Sequence, residues 1–247
     1  GTPEPIIEAV ADVEAAFDRL AEDAVVETDL DANPEAEERV ITLNEARHGA
    51  VVAAVKSAGA KRVIDLGCGE GRLLAQLLNV KGIEKVVGVD VSPDRLTIAE
   101  KRLRLDRMPT RKRERLDLIQ GSVLYRDKRF DNFDVATVVE VIEHLDPPRL
   151  AAFERVVFEF AKPAVVIVTT PNITYNQMWD MMDDEGNLKL RHGDHRFEWT
   201  RSEFENWAEK VTERFGYDYA FSWVGVEEPD LGAPTQMAVF TLAEDIE

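Results

Sequence analysis

The chain holds 247 residues, 45% hydrophobic and 32% charged, enough for one large α/β domain with a substantial core. No apolar run approaches the ~18 residues that span a bilayer, no secretory leader is visible, and a lone Cys68 cannot close an internal disulfide, so a cytoplasmic protein without a membrane partner is expected. The net charge of −18 weighs against a polyanionic partner, but residues 1–40 alone carry 13 acidic and 2 basic side chains, and 101–115 and 189–201 are locally basic, so nucleic-acid binding stays open.

In chain order, residues 5–26 space Ile6, Val10, Val13, Phe17 and Leu20 as one face of an amphipathic helix, followed by an acidic stretch around Asn33-Pro34. Residues 1–40 are expected to be an appended arm or linker, and 41–247 the folded domain. The chain opens on Gly1 rather than methionine, as a cloning scar or a processed fragment would, which leaves open whether the native protein continues upstream. A helix is predicted over 42–58. Short β-branched segments then recur at 62–66, 85–89, 116–120, 133–139 and 164–170, with helical stretches between them. That alternation predicts a doubly wound, mostly parallel sheet. Two further runs, 219–225 and 236–242, have no helix between them and predict an antiparallel pair at the edge, for seven strands in all.

The first strand runs into "VIDLGCGEG", with Asp65, Gly67, Gly69 and Gly71, and then into a helix. Glycines there allow a tight turn and close approach of a ligand to the backbone. The spacing Asp-x-Gly-x-Gly-x-Gly differs from the dinucleotide fingerprint and matches the loop of S-adenosylmethionine (SAM) enzymes. Asp90, ending the second strand, is placed to accept ribose hydroxyls, and Ser122, with the backbone near Gly121, to meet an adenine. These three strand ends predict a class I SAM-dependent methyltransferase fold.

After the fourth strand comes "VVEVIEHLDP". In a helical turn Glu140, Glu143 and His144 would stand at i, i+3 and i+4 and face one side, a metal-ligand spacing where the methyl acceptor would lie. His192 and His195 in "RHGDHRFEWTRSEF" can complete such a set. His192 is a candidate proton acceptor or partner of the ligands, and the two histidines can exchange roles. Oxygen and nitrogen donors together favour manganese, with magnesium second. His48 is expected to be a surface or packing residue. Tyr175, Asn176, Arg191, Arg196 and Trp199 are candidate contacts to the acceptor through stacking and phosphate pairing, although Phe197 and Trp199 suit core packing equally well.

Over residues 40–243 the segments "LNEAR", "RVIDLGCGEG", "GSVLYRDKR", "VVEVIEHLDPPRLAAFERVVF", "TTPNITYN", "RHGDHRFEWTRSEF" and "GAPTQMAVF" resemble the RNA 3′-terminal ribose 2′-O-methyltransferases of the HUA ENHANCER type, especially their bacterial RNA-repair branch. The resemblance implies that Glu140, Glu143, His144 and His195 bind a divalent metal, and that Asp90 and Ser122 contact SAM. It further implies an RNA 3′ end with a 2′,3′-diol as substrate. Bacterial members carry a large N-terminal domain that meets a kinase-phosphatase-ligase repair partner, and here only the acidic residues 1–40 precede the module. Two rival readings are a metal-dependent O-methyltransferase of catechol-like diols and a non-catalytic SAM-binding subunit of an RNA-repair complex.

Overall fold

The computed structural model describes residues 41–243, and the helix expected over 5–26 lies outside the described residues. The predicted strands pair into one seven-stranded sheet: β1 (Arg62–Leu66), β2 (Lys85–Asp90), β3 (Leu116–Gln120), β4 (Val135–Val139), β5 (Val165–Pro171), β6 (Tyr217–Val224) and β7 (Thr235–Leu242). Their order is β3-β2-β1-β4-β5-β7-β6. The first five run parallel, and β7 lies antiparallel to both β5 and β6. The expected antiparallel pair is therefore present, with β6 outermost.

Register explains why the parallel strands read as nearly continuous apolar runs. Ile64 stands opposite Val87 and Ala136, and Ala136 opposite Val166, so one layer of side chains crosses four strands. This layer packs against the aromatic group of Phe158, Phe204, Trp207, Tyr217 and Phe240. Their neighbours Val63, Val86, Val135 and Ile167 point to the opposite face, against Val51 and Val55 of helix α1 (Leu43–Ser57) and Leu74 and Leu77 of helix α2 (Arg72–Leu77). A strand covered on both faces has no polar alternation to show.

α1 begins with a capping box, in which Thr42 Oγ1 accepts the Glu45 amide and the Glu45 carboxylate accepts the Thr42 amide. The box fixes where the helix starts and thereby aims its first turns, with Asn44, Arg47 and His48, at the sheet's carboxyl edge. Neighbouring β1 and β4 lead to helices on opposite faces, so the crevice beyond their carboxyl ends is the switch point of the sheet, where open α/β folds bind ligands. Among the described residues no helix is long and apolar enough to cross a membrane.

The structure corrects one local expectation. The helical turn predicted to include Glu140 starts later, with a 3-10 turn over Ile142–His144. The Glu140 amide still donates to the Thr169 carbonyl of β5 at 3.1 Å, and the chain leaves the sheet through a left-handed Glu140 (φ 54°). A backbone held to the neighbouring strand cannot also open a helix.

Candidate active site

The loop after β1 wraps the carboxyl edge of β2. The amides of Gly67 and Cys68 both donate to the Val89 carbonyl, at 2.8 and 2.9 Å. Gly67 has φ +87°, and a Cβ there would stand 2.4 Å from Cγ2 of Val141, so only glycine fits. The Gly69 amide donates to Oδ2 of Asp90 at 2.9 Å, and the Ser92 amide to Oδ1 at 2.8 Å. Two backbone donors lock this carboxylate in place, and each oxygen keeps a free lone pair.

Gly67, Gly69, Asp90, Gly121 and Ser122 line one cleft of about 440 Å³. Ser122 also closes its own turn, its Oγ accepting the Leu124 amide at 3.2 Å. Asp65 faces a smaller adjoining cavity of about 330 Å³ together with Gly67, His48 and Glu140. Asp65 is 2% exposed and accepts one hydrogen bond, from Thr137 Oγ1 at 2.7 Å. Burial pushes its carboxyl up to about 7, against the lowering effect of Thr137, with the charge of Asp90 adding to the rise. His48 is buried rather than on the surface, and burial, then the charges of Arg47 and Arg72, hold its imidazole down at about 4.

Across Val141 lies the second constellation. The ligand atoms of Glu143, His144 and His195 all lie within 4.8 Å of one another. The His195 ring stands edge-on to His144, with centroids 4.8 Å apart, and likewise to His192 at 5.0 Å. Glu143 is fully buried; its Oε2 accepts from Thr170 Oγ1 at 3.2 Å, and its Oε1 has no hydrogen-bond partner among the described residues. Burial, and then the charge of Glu140, raise its carboxyl well above the ordinary range. An orphaned buried oxygen beside two imidazoles is the donor set that a divalent cation satisfies. Glu140 stands outside this trio: its Oε1 accepts from Thr169 Oγ1 at 2.9 Å, and its Oε2 pairs with Arg47 at 3.0 Å.

Beyond the trio opens a third cavity, of about 590 Å³, lined by Arg47, Glu140, His144, Trp179, Arg191, His192, Asp194 and His195, among others. Of the five nucleotide contacts expected from sequence, Arg191 lines this cavity. Asn176 is buried, bonded to Arg191 and Glu198. Tyr175 is buried against Trp179, Arg196 pairs with Asp146 on the surface, and Trp199 packs with Phe197, Phe204 and Trp207. Sequence reasoning missed Trp179, which is 44% exposed and carries the Arg191 guanidinium over its ring at 4.7 Å. It also missed Arg47, Asp194 and Glu198. A tryptophan bounded by methionines, "QMWDMM", was the available signal for the first.

A family model described as a methyltransferase domain matches residues 43–212. The small RNA 2′-O-methyltransferase of Mus musculus is 39% identical over 188 residues, 73% of this chain and 46% of that protein. The chain spans about half the length, or less, of the curated relatives it matches. Among solved structures, the methyltransferase domain of bacterial CtHen1 is 54% identical with a TM-score of 0.74, covering 81% of this chain and 100% of that one. Small RNA methyltransferase HEN1 is 31% identical with a TM-score of 0.72, covering 85% of this chain and 27% of that one. With a methyltransferase model matching most of its length and a bacterial Hen1 domain covered from end to end, the chain belongs to the Hen1 family of methyltransferases.

Proposed function

We infer that this chain transfers a methyl group from SAM to the 2′-hydroxyl of the 3′-terminal ribose of RNA, with a divalent cation at the Glu143, His144 and His195 cluster. One observation carries this reading: Glu140, His144 and Asp194 line both the cofactor cleft and the third cavity. A methyl donor and its acceptor thus meet at one wall, beside the candidate cation ligands. The likeness to the small RNA 2′-O-methyltransferase of Mus musculus supports RNA as the acceptor.

The sulfonium of SAM supplies an already activated methyl, so the chain's task is to hold and sharpen the acceptor oxygen. Asp90 and Ser122 take up the nucleoside end, and Asp65, beside the smaller cavity, can meet the ammonium of the methionine end. Glu143, His144 and His195 would hold the cation, with Glu140 adjacent, and the cation supplies Lewis acidity that lowers the pKa of a bound hydroxyl. Manganese suits these mixed donors best, with magnesium second. As the ribose oxygen bonds to the methyl carbon and the carbon–sulfur bond breaks, the hydroxyl proton must leave. His192, exposed on the cavity wall, would take it at a ring nitrogen. Arg191 and Trp179 offer charge and a stacking face to the terminal nucleotide.

A role in RNA repair, beside a kinase-phosphatase-ligase partner met through segments outside 41–243, belongs to the same proposal. The test is transfer of a radiolabelled methyl group to short RNAs across a panel of metals. An RNA ending in a 2′,3′-diol should be methylated, and the same RNA with a 2′-deoxy end should not. Equal labelling of catechol-like diols in place of RNA would overturn the acceptor assignment.

A further inference from the structure

We propose that Glu198 is a positioning residue of the cation site, fixing His195 in the tautomer that leaves Nε2 free for the cation. The proposal rests on the cation reading of the Glu143, His144 and His195 cluster.

Glu198 is 5% exposed, and its side chain is wholly buried. Its Oε1 lies 2.6 Å from Nδ1 of His195 and accepts the Arg191 amide at 2.6 Å. Its Oε2 accepts Nδ2 of Asn176 at 2.8 Å, and the Arg191 guanidinium lies 3.8 Å away. The amide and Asn176 are donors, and the guanidinium is a cation. A carboxylate so surrounded is an acceptor throughout, so the His195 Nδ1 that meets it carries a hydrogen. In a neutral ring Nε2 is then the bare nitrogen, the one left to face Glu143 and His144. A carboxylate behind a metal-binding imidazole does this work elsewhere and is typically worth about 10–100-fold in metal affinity.

The carboxylate is itself held from behind. Arg191 Nε donates to Asn176 Oδ1 at 2.6 Å, and Arg191 Nη2 to the Asn172 carbonyl at 2.6 Å. The Arg191 that lines the acceptor cavity is thus tied through Asn176 and Glu198 to His195. This also separates the two downstream histidines. Among the described residues His192 is exposed with no buried carboxylate hydrogen-bonded to its ring, whereas His195 is buried with one, which assigns the ligand role to His195.

Glu198→Gln tests this with little change of shape. With its oxygen toward His195, the amide would set its NH2 against the NH2 of Asn176, whose Oδ1 is already taken by Arg191. Turned over, it would offer NH2 to His195 Nδ1 and shift the ring proton to Nε2. The readouts are the His195 tautomer, from long-range proton–nitrogen NMR on metal-free protein, and the affinity for manganese, by titration with SAM affinity as control. We expect Nδ1–H in the wild type and a changed tautomer pattern in Glu198→Gln. Manganese binding should weaken by about 10–100-fold, with SAM affinity unchanged. A wild-type His195 protonated at Nε2 overturns the proposal without recourse to any variant. An unchanged tautomer and manganese affinity in Glu198→Gln overturns it through Glu198, whereas a wild type that binds no manganese overturns it through the cation reading.

Discussion

Arg47 and Glu140 form an ion pair at 3.0 Å on the wall shared by the smaller cofactor-side cavity and the acceptor cavity, with side chains 12% and 20% exposed. The same Arg47 Nη2 donates to Thr235 Oγ1 at 3.0 Å, so helix α1, the β4 turn and β7 meet in one guanidinium. Glu140 is also the left-handed residue at the end of β4 and stands close enough to Glu143 to raise its carboxyl. Backbone strain of this kind collects at functional sites and persists only where neighbours over-determine it.

Arg47→Ala leaves Glu140 with Thr169 as its remaining hydrogen-bonded side-chain partner among the described residues and removes the contact ion pair that offsets the charge it shows to Glu143. We expect a stability loss of roughly 1–3 kcal/mol, the usual cost of stranding a charged hydrogen-bonding partner. RNA methyl transfer should fall more than SAM affinity does. Thermal unfolding and calorimetric SAM titration, alongside an activity assay, check this. An Arg47→Ala protein with unaltered turnover would show that the pair does not hold Glu140 for the reaction.

Asp65 predicts a pH-dependent stability with a definite sign. Its folded carboxyl sits at about 7 against an ordinary 3.8, so between those values the folded chain holds a proton that the unfolded chain has released. Stability contributed at this position is present below the lower value and is lost as pH rises through the upper one. Asp65→Asn removes that dependence. The unfolding midpoint of the ligand-free variant, relative to wild type, should therefore rise by several degrees from pH 5 to pH 8. The same substitution should weaken SAM binding, because the neutral amide cannot pair with an ammonium. Parallel midpoint curves for the two proteins would refute the buried-acid assignment.

The sheet was legible because most of its parallel strands are short runs rich in β-branched residues, and the glycine loop because its glycines stand at fixed spacing. Asp90 and Ser122 followed from their places at strand ends. The candidate cation cluster was legible in Glu143, His144 and His195 but not in its geometry: the i, i+3, i+4 argument assumed a helical turn that included Glu140, and the Glu140 amide stays on β5 instead, with its side chain outside the trio. Arg47 and Glu198 were hidden for a different reason. Each acts through a partner brought to it by the fold or by a loop, and local periodicity carries no trace of that. Trp199 and Trp179 show the same limit, since a flat apolar ring looks alike in sequence whether it fills the core or lines a cavity.

Glu143 supplies the buried oxygen without a partner, so it should dominate cation binding. Glu143→Gln keeps the size, and the Thr170 contact can survive, but the charge is gone. Manganese affinity should fall at least about 100-fold, the upper end of what even outer partners of metal ligands cost. Chelation of the wild type should abolish transfer reversibly, and SAM binding should persist in both cases because Asp90 and the glycine loop lie on other strand ends. Titration of manganese and SAM into each protein reads both effects. Full turnover by the chelated enzyme would exclude a catalytic cation.

Trp179 lines the same cavity as His144 and His195, partly exposed and in edge contact with Tyr175 at 5.3 Å between ring centroids. Arg191 over its ring at 4.7 Å adds a positive charge on the same wall. Such a pairing fits a base stacked on the indole with its phosphate near the guanidinium, and stacking of this kind tolerates any base because every base has a π-face. Removing the ring with Trp179→Ala should cost about 1–3 kcal/mol of RNA binding. The effect should appear mainly in KM, because the indole touches neither the methyl donor nor the cation ligands. An RNA with an abasic 3′-terminal residue supplies the decisive comparison. If the indole stacks that base, deleting the base from the RNA and the ring from the protein removes the same contact, and the two losses should not add. Steady-state kinetics of wild type and Trp179→Ala on matched intact and abasic RNAs measure this coupling directly. Fully additive losses would mean that the ring serves the cavity wall and not the terminal base.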